Sequence, residues 1–184
     1  MSPLTLNEIP RYECLMEVAK RFHELDPKSL EVFLHLIRVS EELSRYSQCH
    51  FAQHGITKGR FIVLMLLSDK VMGRRIQSPT PAELADKANC TRATMTGLVD
   101  SLERDGLVQR IPDSLDRRMM RVSLTDKGND FMIGFLPEHF RRITNLMSCL
   151  DNNEQVLLVG LLGKLVERCG AAAPLCPSLK SECE

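Results

Sequence analysis

Arg92, Ala93, Thr94, Thr96 and Gly97 fall together in the run TRATMTGLVDSLERDG. They combine a cation that can fork to guanine or grip phosphate, threonines that offer a hydroxyl or a methyl, and two residues with almost no side chain. On one face of a helix, that set suits the major groove of duplex DNA, which admits a helix with its first turns nearest the base edges. Arg117 and Arg118 form a second centre at a polar turn. Arginines on a loop can follow phosphates or enter a narrow minor groove, whose negative potential favours them. Between them and the strand stands Asp116, which would repel phosphate; it is expected to hydrogen-bond Arg118 or the loop backbone and aim the fork. Arg110 on the preceding strand, and Arg74 and Arg75 before the first of the helices, are further candidates for phosphate contact. Glycine in mid-helix costs about 1 kcal/mol against alanine. For Gly97, close approach to DNA and close packing against a neighbouring helix both remain open.

The elements that must position these groups are legible nearby. Thr80-Pro81-Ala82-Glu83 carries a cap, a proline suited to the first helical position and a capping-box acid, which predicts a short helix to about Ala88. Thr91 caps a second helix, Arg92 to about Asp105, with Met95, Leu98, Val99 and Leu102 as its buried stripe. Gly106 ends it, and Leu107 to Ile111 is β-prone. Pro112-Asp113-Ser114 turns the chain, and Met120, Val122 and Leu124 alternate with Met119, Arg121 and Ser123 on a return strand. The pattern is helix, turn, helix and hairpin: mainly α with a small β-wing.

Here a resemblance becomes specific. The run DRRMMRVSLTDKG (116–128) resembles the wing of the MarR family of winged helix-turn-helix transcriptional regulators, with its Asp-x-Arg tip and Leu-Thr-x-x-Gly exit. LVDSLERDGLV (98–108) is similar to the end of that family's recognition helix, and RFIVL (60–64) to its second helix. The similarity spans about Leu30 to Arg168. It implies a homodimer on a pseudo-palindromic double-stranded operator, usually a repressor, often released by a small aromatic or phenolic acid or by an oxidant.

The flanks fit a scaffold for such a head. Residues 1–28 form an extension, with a helix expected from Arg11 to about Leu25. Residues 29–170 make one domain, with the winged head at 57–125 between long dimerisation helices at 29–54 and 126–169. Pro137 is expected to bend the second of these. The last helix is so rich in leucine and valine that a second copy of itself is the natural partner. Residues 171–184 lack periodicity and are expected to be flexible. With 24 basic and 24 acidic residues the formal charge is zero, which argues against an unspecific polyanion binder. From 87 to 122, however, seven basic residues (Lys87, Arg92, Arg104, Arg110, Arg117, Arg118, Arg121) face five acidic ones (Asp100, Glu103, Asp105, Asp113, Asp116). No secretory signal and no run long enough to cross a bilayer stand in the sequence, so a cytoplasmic protein without a membrane partner is expected.

Effectors of the resembled family lodge between the interface helices and the head. Arg38, His35 and Arg60, with His50 and His54, are the residues expected to meet an aromatic carboxylate there. His50 and His54, four apart beside Cys49, have a metal-compatible spacing but no clear third ligand, so no metal or other cofactor is expected. Seven cysteines in an expected intracellular setting argue against a disulfide framework. Cys14, with Tyr12 nearby, matches the peroxide-sensing relatives poorly. No phosphate-binding glycine loop, HExxH or nucleophile motif is present, so no catalysis is expected. The alternatives are an oxidant- or metal-sensing regulator of the same fold, or a dimeric scaffold that no longer binds DNA.

Overall fold

The computed structural model describes residues 8–68, 78–113, 116 and 119–172. The chain divides into two compact units, Met1–Ile56 and Thr57–Glu184. In the first, the Asp26 carboxylate accepts from the amides of Lys28 (3.3 Å) and Ser29 (3.0 Å), and Pro27 takes the first helical position. Helix α2 therefore runs Pro27–Gln53, starting before the expected Ser29. Helix α1, Tyr12–Ala19, stops short of the expected Leu25. A residue preceding proline is disfavoured in the helical region, and Asp26 is extended (φ −90°, ψ 111°). The chain reaches it through turns in which Arg21 donates to the Val18 carbonyl and Leu25 to that of Phe22. The Lys28 ammonium lies 5.2 Å from the centre of the Tyr12 ring, joining the two helices. Gly55, at φ +64°, closes α2, and the Ile56 amide returns to the Phe51 carbonyl.

In the second unit the first four helices are each opened by the threonine read from the sequence. Thr57 caps α3 (Lys58–Leu67), Thr80 caps α4 (Pro81–Ala88) in a full capping box with Glu83, Thr91 caps α5 (Arg92–Arg104) and Thr125 caps α6 (Asp126–Met147). Asp151 makes a further capping box at the start of α7 (Asn152–Ala172): it accepts from Asn153 and Glu154, while its amide donates to Glu154. Strands β1 (Val108–Pro112) and β2 (Met120–Leu124) pair antiparallel, Val108 opposite Leu124 and Pro112 opposite Met120. Pro137 stands inside α6.

The core of this unit is Val63 and Leu64 from α3, Leu84 and Ala85 from α4, Met95, Val99 and Leu102 from α5, Val122 from β2 and Met132 from α6, all buried. Burying one such side chain stabilises by about 1.5–3 kcal/mol, so α5 is held mainly by its apolar stripe. Close helix approach in this core falls at Gly59: a β-carbon there would stand 3.2 Å from Leu98. Helix α7 is different. From residue 152 to 170 every side chain except Gln155 is exposed, Val156, Val159 and Val166 by about 70%.

Two features lead to direct tests. At Gly128, in the first turn of α6, a β-carbon would lie 2.0 Å from the Leu107 carbonyl oxygen. Because a backbone atom cannot rotate aside, Gly128→Ala is expected to destabilise the fold by about 3 kcal/mol in urea denaturation. His139 stacks on Phe135 (5.3 Å) and meets Phe61 edge-on (4.8 Å). Burial, and then the charge of Arg142, holds its pKa below the ordinary 6.5. The unfolded chain thus takes up this proton first, so stability is full above about pH 6.5 and is lost as pH falls through that value toward the lowered one. His139→Phe should flatten this part of the stability profile, as followed by thermal melts across pH 5–8.

Candidate nucleic-acid interface

Helix α5 has two faces of opposite character. Met95, Val99 and Leu102 are buried, while Arg92, Ala93, Thr94, Thr96 and Gly97 are exposed. Gly97 has nothing within 4 Å of where its β-carbon would be, so packing against another helix does not explain it, and its bare backbone faces open space. The threonine hydroxyls are already engaged: Thr96 donates to the Arg92 carbonyl (2.9 Å), and Thr91 and Thr94 share a 2.8 Å hydrogen bond. Much of what this face offers outward is therefore methyl groups, bare backbone and the Arg92 guanidinium.

The far end of α5 is clasped from three sides. Arg60 of α3 forms an ion pair with Asp105, Lys127 donates to the Asp105 carbonyl (2.7 Å), and the Thr125 hydroxyl donates to the Gly106 carbonyl (2.6 Å). Gly106 sits at φ +71°, where glycine turns the chain from helix to strand. Arg110 is bound within the head rather than presented outward from it. Its guanidinium reaches Asp100 (2.5 Å) and Glu103 of α5, and its amide donates to Glu103 (3.2 Å). The Asp100 hydrogen bond, with both carboxylates' charges, holds it more firmly protonated than an ordinary arginine. Arg110 thus braces β1 against the recognition helix.

At the wing root stands a pair that the sequence pattern did not single out. Asp113 is buried; its carboxylate accepts from Arg121 Nε and from the Asp116 amide (2.9 Å). Arg121 also donates to the Ser78 carbonyl (2.6 Å) and lies 3.8 Å from Glu83, the capping acid of α4. Alongside, the Val122 amide donates to the Pro79 carbonyl (2.8 Å). One guanidinium thus joins the wing root, the segment before α4 and the α4 cap. Glu83 is held below the usual carboxylate range, first by its Thr80 hydrogen bonds and to a smaller degree by Arg121. Strand alternation placed Arg121 beside Met119 and Ser123; the overlooked signal was the acid at the turn across from it. The Asp116 main chain is tied on both sides, its amide donating to the Asp113 carboxylate and its carbonyl accepting from the Met119 amide (2.9 Å), while Arg118, which its side chain was expected to aim, lies outside the described residues. Arg117, Arg118, Arg74 and Arg75 lie outside the described residues.

The residues expected to meet an effector are divided between the units. His35, Arg38, His50 and His54 lie on α2 and at its end, across nineteen residues or about 28 Å of helix, and Arg60 belongs to the second unit. Arg38 pairs with Glu42 (2.8 Å), His35 Nδ1 lies 2.8 Å from the Glu31 carbonyl, and the His50 and His54 rings meet edge-on at 4.6 Å. Arg60 is occupied by Asp105. Among the described residues no cluster of three metal-ligating side chains occurs, and Cys14, Cys49, Cys90, Cys149 and Cys169 are free thiols. Nor is any described helix long and apolar enough to cross a membrane.

Residues 56–120 match the model of the MarR family. The chain is also 37% identical, over 165 residues, to the HTH-type transcriptional repressor YetL of Bacillus subtilis (strain 168), an alignment covering 90% of this chain and 96% of that one. The chain belongs to the MarR family. Membership makes it a winged-helix transcriptional regulator that binds DNA. In fold it is similar to MepR of S. aureus in complex with DNA (TM-score 0.64, 21% identity, 74% of this chain and 94% of that one). It is also similar to NadR in complex with 4-hydroxyphenylacetate (TM-score 0.57, 26% identity, 73% of this chain and 91% of that one). The MarR head therefore carries an open α5 face and a wing whose root is fixed by Arg121.

Removing that guanidinium leaves a buried carboxylate without its ionic partner, and breaking such a pair costs about 3 kcal/mol. Arg121→Ala should lose that much in urea denaturation, and Arg121→Lys should recover only part of it because an ammonium cannot bridge three acceptors in one plane. Equal stability of Arg121→Ala and the parent chain would remove the wing root's assigned role.

Proposed function

We propose that this MarR protein is a homodimeric transcriptional repressor that binds a pseudo-palindromic operator through Arg92, Ala93, Thr94, Thr96 and Gly97 in the major groove and through the wing arginines Arg117 and Arg118 beside it. Arg74 and Arg75 add phosphate contacts in this reading. The observation that carries it is the open face of α5, with bare backbone at Gly97 and a cation at Arg92, set against a fully buried stripe. The similarity to a repressor along nearly its whole length supports the direction of regulation. Homodimerisation is supported by the aliphatic surface of α7, where Leu157, Leu161 and Leu165 are all exposed, and by Phe33 and Ile37 of α2. Two-fold symmetry would place the recognition helices about 34 Å apart, one turn of B-DNA.

A small aromatic or phenolic acid is proposed as the effector, supported by the 4-hydroxyphenylacetate bound to NadR. Arg38 is the first choice for its carboxylate, with His35, Arg60, His50 and His54 as further candidates. A cytoplasmic location follows from a role on operator DNA.

Salt-titrated binding tests the DNA assignment. Arg92→Ala and Arg118→Ala should each weaken duplex binding and lower the slope of log affinity against log salt by about 0.9 if one phosphate contact is lost. Unchanged affinity and slope in both variants would leave the scaffold alternative. A thermal-shift screen of aromatic carboxylates, followed by DNA release with each hit, tests the effector; hits that fail to release DNA would reject it.

A further inference from the structure

Between the first turn of α5 and the wing root lies a groove of about 330 Å³, to which Pro81, Ala82, Arg92, Thr96, Met119 and Met120 contribute. Met119 and Met120 are large apolar side chains, 44% and 39% exposed. Their backbone is well tethered: Met119 exchanges hydrogen bonds with Asp113 and Asp116 (both 2.9 Å), and Met120 pairs in register with Pro112. Thr96 has its hydroxyl hydrogen turned back to the Arg92 carbonyl, so it offers its methyl and an acceptor oxygen but no donor. Arg92 brings the groove's full charge and makes no ion pair among the described residues. The surface is thus apolar, carries one cation and is continuous with the open face of α5.

We propose that this groove holds the sugar edge of one DNA strand where the backbone passes from the major groove at α5 to the minor groove at the wing, with deoxyribose C–H faces against Met119 and Met120 and the adjoining phosphate at Arg92. The inference rests on the DNA-binding reading above and adds two contact residues to it. A nucleic-acid strand alternates a charged phosphate with a sugar that is apolar at its C–H edge, and the groove presents the complementary pair. Unbranched, polarisable methionine suits such a contact because it adapts to a sugar whatever base it carries. The contact is therefore independent of sequence, and, because it releases no counterions, independent of salt.

The test uses the full chain and two duplexes of equal length, one selected by the parent protein from a random library and one of mixed sequence. A Met119→Gln, Met120→Gln double variant keeps side-chain length but adds polarity. It should bind both duplexes about fivefold more weakly at every salt concentration, whereas the Met119→Leu, Met120→Leu control should stay within about twofold. Hydroxyl-radical cleavage, which attacks deoxyribose hydrogens, should show protected sugars beside the wing in the parent complex and their exposure in the glutamine variant. Parent-like binding by the glutamine variant, or a loss confined to the selected duplex, would overturn the sugar contact. If those results accompany a clear loss in Arg92→Ala or Arg118→Ala, the DNA reading stands and the groove assignment alone fails; unaffected binding in both arginine variants sinks both.

Discussion

A planar guanidinium at Arg121 sets the geometry on which the reading head depends. The Asp113 carboxylate is buried, and an isolated charge there would be costly, whereas a partner and an amide donor make it favourable to keep. The same side chain reaches the Ser78 carbonyl and approaches the α4 capping acid. A two-stranded hairpin is marginal by itself in water. Here it gains one further backbone hydrogen bond, from Val122 to Pro79, as well as this ionic anchor. The orientation of the wing and the start of the helix-turn-helix are thereby determined together.

The other end of the recognition helix is fixed by a different set of groups. Arg60, Lys127 and Thr125 converge on Asp105 and Gly106, and Arg110 ties the first strand back to Asp100 and Glu103. Exposed ion pairs contribute about 0–1 kcal/mol each, so burial of Met95, Val99 and Leu102 dominates the energetics, while the polar clasps set direction. The exposed face is left with its hydroxyls engaged and its central position bare. Rigid helix ends and an uncluttered middle favour approach of a preformed surface, with little side-chain ordering required on contact.

Much of this was legible beforehand. Helix starts were readable because caps are local: Thr57, Thr80, Thr91 and Thr125 act on amides within three residues. The stripe of α5 was readable from periodicity at Met95, Val99 and Leu102, Leu98 being only half-buried against Gly59, and the exposed set at Arg92 to Gly97 followed as its complement. What could not be read depended on residues distant in sequence. Arg110 looked like a phosphate ligand until Asp100 and Glu103 lay beside it, and Arg121 looked like an ordinary strand position until Asp113 and Ser78 came within reach. Gly97 and Gly59 are equally plausible packing glycines in one dimension; only the position of Leu98 separates them.

In the proposed homodimer, the exposed aliphatic rod at α7 would make the chain's own abundance a thermodynamic variable. Its leucines and valines would be covered only on encounter, so the folded state would gain stability as copy number rises, by mass action. Occupancy of the proposed pseudo-palindromic operator would then climb more steeply than the protein level itself, giving a cell a threshold where a self-sufficient monomer would give a gradual response.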